Sequence, residues 1–119
     1  MNEKKIRIMI ADDNKEFCEI VGEYLSREKD IQLVGTANDG FEALELIKQY
    51  KPDILVLDII MPHLDGLGVL EKLNTMELEP MPNIIVLSAV GQDKITQRAL
   101  LLGADYYIVK PFDMQIFIK

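Results

Sequence analysis

Short apolar runs alternate with amphipathic stretches along the whole chain, and this alternation constrains the fold more than any other feature. The runs comprise residues 6–11, 31–35, 54–57, 84–87 and 106–109. Each is mostly β-branched or aliphatic, and each ends at polar or small residues. Nearly continuous hydrophobicity over such short lengths indicates strands covered on both faces, as in a parallel sheet.

The stretches between the runs have the periodicity of amphipathic helices. In the first stretch the apolar residues follow the spacing i, i+3, i+4, i+7, i+8, and they are Phe17, Ile20, Val21, Tyr24 and Leu25. Shorter versions recur in the next three stretches, at Ala43, Leu44 and Ile47, at Leu67, Leu70 and Leu73, and at Ile95, Ala99 and Leu102. Strict alternation of strand and helix predicts a doubly wound α/β domain.

Prolines and glycines punctuate this pattern. Pro52 is expected to stop the second helix, and Pro80 with Pro82 the third, because the residue before proline disfavours helix. Gly103 is expected to end the fourth helix. A fifth helix would begin at Asp113, but the sequence stops at Lys119, less than two turns later. We therefore expect a truncated fifth helix, in a segment cut from a longer protein.

Composition restricts the class of protein. With 119 residues the chain is long enough for one domain, residues 1–119, and too short for two. The formal net charge of -7 disfavours direct nucleic-acid binding and is compatible with a divalent cation site or simply with solubility. A single cysteine, Cys18, suits a reducing cytoplasm. No apolar run approaches the ~20 residues that span a bilayer, and no signal peptide precedes the first run.

Polar side chains that could carry chemistry follow four of the five apolar runs. They are Asp12 and Asp13 after the first run, Asp58 after the third, Ser88 after the fourth and Lys110 after the fifth. Ligands gather at the carboxyl ends of the strands in open parallel sheets. We therefore expect three carboxylates, a hydroxyl and an ammonium to meet at one edge.

Carboxylates placed this close repel one another, and a hard divalent cation resolves the repulsion. Asp13 and Asp58 are candidate direct ligands of Mg2+, Asp12 a ligand directly or through water, and the backbone carbonyl of Ile60 a further oxygen. An aspartate carboxylate can accept a phosphoryl group, and cations stabilise the charge of that transition state. Lys110 would supply one such cation.

Each piece also has an ordinary structural explanation. Asp12 and Asp13 alone could mark a helix start, because acidic residues favour helix N-termini. Asp58 alone could be a loop residue, Ser88 a capping residue, and Lys110 with Pro111 a turn. Their joint placement at the ends of four strands favours a shared site.

These motifs together resemble the bacterial response-regulator receiver domains. The resemblance rests on the Asp12-Asp13 pair, the block from Asp58 to Gly66, the Ser88-Ala89 pair and the run Lys110-Pro111-Phe112, and it covers the chain in order and spacing. It implies a flavodoxin-like, doubly wound, five-stranded parallel sheet in the order 2-1-3-4-5. It also implies a phosphoacceptor signalling domain of a two-component or phosphorelay system rather than an enzyme.

The resemblance implies a role for each matching residue. Asp58 matches the phosphorylated aspartate, and Asp12 and Asp13 match the acidic pair that holds Mg2+. Ser88 matches the hydroxyl residue that moves toward the phosphoryl group, and Lys110 the lysine of the family, whose bond to the following proline is typically cis. Tyr107 matches the aromatic switch residue.

A narrower resemblance is to the receivers of the master sporulation regulators of endospore-forming Firmicutes. It rests on the segment from Leu57 to Leu67, on Gly91-Gln92, and on the segment from Lys110 to Met114. It implies a cytoplasmic transcription regulator with a C-terminal DNA-binding domain that this chain lacks, and a homodimer on phosphorylation. The phosphodonor would be a histidine kinase or a phosphorelay phosphotransferase.

Three alternative functions fit these residues less well. A small Mg2+-dependent aspartyl-phosphate phosphatase or phosphotransferase of the haloacid dehalogenase kind needs an aspartate two residues after the nucleophile, where this chain has Ile60. A flavodoxin-like flavin binder needs a phosphate-cradling loop after the first strand, where Asp12 and Asp13 would repel a phosphate. A degenerate receiver acting only as an interaction module is disfavoured by the intact acidic set.

Overall fold

Five strands alternate with four helices in the computed structural model, which describes residues 5–61, 63–76, 78, 80–89 and 91–110. The strands are β1 (Ile6–Ala11), β2 (Ile31–Ala37), β3 (Ile54–Asp58), β4 (Asn83–Ala89) and β5 (Tyr106–Lys110). The helices are α1 (Lys15–Ser26), α2 (Gly40–Tyr50), α3 (Gly66–Thr75) and α4 (Asp93–Leu101). The fifth helix expected from Asp113 onward lies outside the described residues.

All strand pairs are parallel, and the strand order is β2-β1-β3-β4-β5. This confirms the expected flavodoxin-like sheet. The register pairs Asp58 with Leu87 and Ser88 with Val109. The polar residues at the strand ends therefore fall along one edge of the sheet.

Side chains of the strands alternate between two cores, one on each face of the sheet. Met9 and Ala11 belong to the larger core, which also contains residues of α2, α3 and α4. Ile8 and Ile10 point the other way, into a smaller core with Cys18, Val21 and Leu25 of α1. Period-two alternation places successive side chains on opposite faces, so both faces of the central strands are apolar and buried.

The two edge strands are less buried than the central strands, although β2 packs against α1 on one face and α2 on the other. Most residues of β2 and β5 are exposed or half-buried, whereas most residues of β1 and β3 are buried. Tyr106 and Tyr107 are 67% and 52% exposed. An edge strand has a neighbouring strand on one side only. The hydrophobicity of a run does not show whether its strand lies at the edge or in the centre of the sheet.

The helix boundaries partly follow the expected signals. Gly103, with a φ of 116°, follows the last turn of α4 as predicted. Asp65 is the N-cap of α3, and this helix ends at Thr75, before Pro80 and Pro82 are reached. Ile20, expected on the inner face of α1, is 48% exposed, and Cys18 is buried instead. Among the described residues, none of the helices has the length and apolarity needed to cross a membrane.

Candidate functional site

Three aspartates meet at the carboxyl edge of the sheet. Asp12 and Asp13 directly follow β1, and Asp58 is the last residue of the neighbouring β3. One carboxylate oxygen from each lies within 4.8 Å of the others. Asp12 and Asp58 are buried, and Asp13 is exposed. The site is therefore a half-open acidic pocket whose floor is the end of the sheet.

The side chain of Asp12 is held by two hydrogen bonds. One of its carboxylate oxygens accepts a hydrogen bond from the Asn14 backbone N–H at 2.9 Å, and the other accepts one from Lys110 Nζ at 2.7 Å. Asn14, not Asp12 or Asp13, is the N-cap of α1. Neither aspartate therefore caps the helix, and Asp12 belongs to the site.

The backbone carbonyl of Asp12 is also fixed. It accepts a hydrogen bond from the Asn38 side-chain amide at 3.1 Å, and the Cys18 Sγ lies 3.5 Å away. Burial raises the pKa of the Cys18 thiol to about 11, and the Asp12 charge adds to the effect. Cys18 is therefore an inert packing thiol beneath the acidic pocket.

Asp58 sits in an environment that disfavours its charged form. Burial and the Asp12 carboxylate raise the pKa of Asp58 from 3.8 to about 6, although the Lys110 charge and the Ile60 N–H oppose the rise. The Ile60 N–H donates to Asp58 Oδ1 at 3.2 Å. Two carboxylates crowded together with one ammonium leave unbalanced negative charge, which a cation or a proton would neutralise.

Close backbone packing shapes the loop that follows Asp58. A Cβ added to Gly66 would lie 2.4 Å from the Asp58 carbonyl oxygen and 2.8 Å from Ile59 Cα. The Gly66 N–H also donates to the Ile59 carbonyl at 2.7 Å. Only glycine permits α3 to begin this close to the end of β3.

Lys110, the last residue of β5, supplies the positive charge. Its Nζ lies 2.7 Å from Asp12 Oδ2 and 3.7 Å from Asp58 Oδ2. Burial alone would lower the pKa of Lys110, but the hydrogen bond that it donates to Asp12 and the charges of Asp58 and Asp12 raise it above its ordinary value. The side chain is therefore an ammonium ion shared between two carboxylates.

Ser88 and Tyr107 lie on neighbouring strands on the α4 side of the pocket. Ser88 is buried, and its Oγ has no hydrogen-bond partner among the described residues. Both residues line a cavity of about 330 Å3 that Thr96 and Val109 also border. An unpaired buried hydroxyl is costly, so the Ser88 Oγ is available to a group that enters the pocket.

The donor set suits a small hard cation. Mg2+ prefers oxygen ligands and keeps several water molecules, so a few carboxylates on one side are enough. Since both Asp12 oxygens already accept hydrogen bonds, Asp13 and Asp58 offer the freer lone pairs. The expected cis bond between Lys110 and Pro111 lies outside the described residues. The Ile60 carbonyl as a metal ligand stays a prediction.

Two contributors to the pocket were missed by sequence reasoning. Phe17, interpreted as a core residue of α1, places its ring 4.7 Å from Lys110 Nζ. Asn38, just after β2, binds the Asp12 carbonyl. Asn38 could have been found because it directly follows a strand, as the other polar residues of the site do. Phe17 could have been found by its position in the first turn of α1.

The site is thus an acidic cluster of three aspartates beside a lysine, at the carboxyl edge of a flavodoxin-like sheet. The sequence model of the response regulator receiver domain family matches residues 8–119. This chain belongs to that family.

Solved structures of receiver domains are similar to this chain. The signal receiver domain of the response regulator NarL from Mycobacterium tuberculosis has 34% identity and a TM-score of 0.86, covering 95% of this chain and 90% of that one. The receiver domain of AraT from Geobacillus stearothermophilus has 32% identity and a TM-score of 0.81, with 94% and 86% covered. The receiver domain of Francisella response regulator 1452 has 32% identity and a TM-score of 0.83, with 96% and 91% covered.

Membership of this family establishes the general activity. The chain is the receiver domain of a response regulator, a phosphoacceptor in two-component signalling. Such domains receive the phosphoryl group from histidine kinases or phosphotransfer proteins and act on effector domains. Receiver domains generally bind Mg2+ in an acidic pocket, and this chain has a cluster of three aspartates at the carboxyl edge of its sheet.

Proposed function

We propose that Asp58 is the residue that accepts the phosphoryl group. The observation that carries this proposal is its place between the Asp12 carboxylate and the Lys110 ammonium, at the end of β3. Asp13 is exposed, and Asp12 is fully buried with both carboxylate oxygens engaged. Among the three aspartates of the cluster, Asp58 alone combines partial exposure to solvent, a nearby ammonium and a carboxylate oxygen without a short hydrogen bond.

In the transfer step an oxygen of the Asp58 carboxylate attacks the phosphorus of the donor. With a phosphohistidine donor the P–N bond breaks and the imidazole leaves with the electron pair; with acetyl phosphate the P–O bond breaks and acetate leaves. Negative charge spreads over the phosphoryl oxygens during transfer. Lys110, 3.7 Å from Asp58 Oδ2, is placed to turn from Asp12 toward those oxygens.

Asp13 and Asp58 would hold Mg2+, with Asp12 contributing directly or through water and Ile60 through its backbone carbonyl. The ion would supply charge neutralisation at the pocket. The raised pKa of Asp58 supports this assignment. Burial and the Asp12 carboxylate disfavour the ionised form of Asp58, and an added positive charge would offset that effect. Asp58 must be ionised to act as a nucleophile, and a bound cation favours that state.

Phosphorylation is proposed to act through Ser88 and Tyr107. The unpaired Ser88 Oγ would donate a hydrogen bond to the phosphoryl group. The Ser88 movement would change the cavity that it shares with Tyr107, and the exposed tyrosine ring would turn inward to fill it. This is a shift between two populated states, biased by one covalent group.

The output is proposed to be transcriptional. On the resemblance to the sporulation regulators, phosphorylation would promote homodimerisation through the face of α4 and β5 and release a C-terminal DNA-binding domain in the cytoplasm. The phosphodonor would be a histidine kinase or a phosphorelay phosphotransferase. The receiver itself would not bind nucleic acid, in keeping with its net charge of -7.

Intact-mass measurement after incubation with acetyl phosphate tests the acceptor. Wild type should gain the mass of one phosphoryl group with Mg2+ and far less with EDTA. Asp58→Asn should gain none, and Asp65→Asn, which alters a helix cap outside the pocket, should behave as wild type. Equal mass gain in wild type and Asp58→Asn would refute the assignment.

A further inference from the structure

An aromatic ring forms part of the wall around Lys110. Phe17 lies in the first turn of α1, where its backbone N–H donates to the Asn14 side chain at 3.0 Å. This cap fixes the start of the helix and, with it, the place where the Phe17 side chain leaves the backbone. The Lys110 Nζ lies 4.7 Å from the centroid of the ring.

This distance is within the range of cation–π attraction, which extends to about 6 Å from a ring centroid. The ring is half-buried against the smaller core, and the Lys110 side chain is 30% exposed. Such an interaction strengthens when water is excluded from the cation. The ring therefore stabilises the ammonium in addition to the carboxylates of Asp12 and Asp58.

The ring differs from the carboxylates in how it binds the ammonium. Asp12 holds Lys110 through one short hydrogen bond at 2.7 Å, which must weaken when the ammonium turns toward a phosphoryl group on Asp58. A ring face attracts the cation electrostatically and imposes no single hydrogen-bond direction. It can therefore retain Lys110 in both orientations without competing for its N–H donors.

We propose that Phe17 is a positioning residue for phosphoryl transfer, whose ring face keeps the Lys110 ammonium beside Asp58 while its hydrogen bonds pass from Asp12 to the phosphoryl oxygens. The proposal rests on the proposed role of Asp58. It concerns the rate of transfer and not the identity of the acceptor, so the two can fail separately.

The rate of phosphorylation by acetyl phosphate at saturating Mg2+ is the measurement. Phe17→Leu, which keeps an apolar side chain but removes the π face, should slow the reaction about threefold to tenfold. Phe17→Tyr should restore most of the rate. Phe41→Leu, the same change at an exposed phenylalanine of α2, should leave the rate unchanged.

Ring fluorination separates the cation–π contact from packing. Phenylalanines with one, two or three ring fluorines at position 17 keep the ring's shape but weaken its negative face. The rate should fall with each fluorine, while the urea midpoint of unfolding stays constant. Because these variants preserve the core, they decide the matter even if Phe17→Leu does not fold.

A phosphorylation rate that is unchanged across the fluorinated series would overturn the role of Phe17, as would a fall in rate fully matched by lost stability. In either case normal labelling of wild type at Asp58 would leave the proposed function intact. Failure of wild type to be labelled at all would refute the proposed function and this inference with it.

Discussion

Replacing Asp58 by asparagine should stabilise the metal-free fold. Burial and the neighbouring Asp12 raise the pKa of Asp58 from 3.8 to about 6. At ~1.36 kcal/mol per pKa unit this corresponds to about 3 kcal/mol of destabilisation by the ionised carboxylate. Water reaches the site, where the Asp58 side chain is 12% exposed, so screening reduces the effect to about 1–2 kcal/mol.

The pH dependence has a defined sign. A folded-state pKa raised above the unfolded value favours the fold at low pH, and that contribution disappears as the pH rises through about 6. Wild type and Asp58→Asn should therefore be about equally stable near pH 4. They should diverge between about pH 4 and 6, with the variant more stable above that range.

Urea unfolding followed by far-UV circular dichroism in EDTA measures the difference. With an m-value of about 1–3 kcal/mol/M, a gain of about 1–2 kcal/mol raises the midpoint by roughly 0.5–1 M at pH 7.5. Asp13→Asn, the same change at the exposed carboxylate, should give a smaller gain. Mg2+ at ten times its dissociation constant should stabilise wild type by about 1.4 kcal/mol and Asp58→Asn much less.

A variant no more stable than wild type at pH 7.5 in EDTA would refute this reasoning. So would a stability difference that stayed constant down to pH 4. Either result would mean that the Asp58 charge does not destabilise the metal-free fold. The pocket would then have no electrostatic need of a cation such as Mg2+.

Three further predictions concern the surroundings of the site. Gly66→Ala forces a Cβ to 2.4 Å from the Asp58 carbonyl oxygen, and urea unfolding should show a loss of about 1–3 kcal/mol; a loss below about 0.5 kcal/mol would contradict the close packing. Ser88→Ala removes a buried hydroxyl that lacks a partner among the described residues, so thermal unfolding should show stability unchanged or raised by up to about 1 kcal/mol, and a large loss would mean that the hydroxyl is already bound. Cys18, buried with a pKa of about 11, should react with a disulfide reagent at pH 8 about 100-fold more slowly in the native than in the urea-unfolded protein; similar rates would contradict its burial.

The sheet could be predicted from the sequence because strand runs and helical periodicity follow short-range rules. The run at residues 6–11 matches β1 in full, and the order of elements follows from their alternation. The extension of β2 to Ala37 could not be foreseen. Its register with β1 shifts between Ile8 and Met9, which leaves Val34 without a partner, and such an irregularity depends on the neighbouring strand.

The meeting of Asp12, Asp13, Asp58 and Lys110 could be predicted because the carboxyl ends of parallel strands share one edge. Their individual roles remain predictions. The burial and the hydrogen bonds of each side chain could not be predicted from the sequence. That Asp12 is buried between Asn14 and Lys110, while Asp13 is exposed, depends on side-chain directions that only tertiary packing sets.

Phe17 is a second residue whose contacts could not be predicted from helical periodicity. Its spacing fitted the inner stripe of α1, and its ring does contact the smaller core. The same ring also faces Lys110, which is distant in sequence and reaches it through the order of strands in the sheet. Helical periodicity identifies which face is apolar, and it does not identify a polar group that packs against that face.

Chemical marking of the phosphorylated residue can show whether Asp58 is the phosphoacceptor. Borohydride reduces an aspartyl phosphate to homoserine, and peptide fragmentation then locates the changed residue. After treatment with acetyl phosphate and Mg2+, homoserine should be found at position 58 and not at 12 or 13. Homoserine at another aspartate, or a phosphorylated protein without homoserine at position 58, would contradict the account.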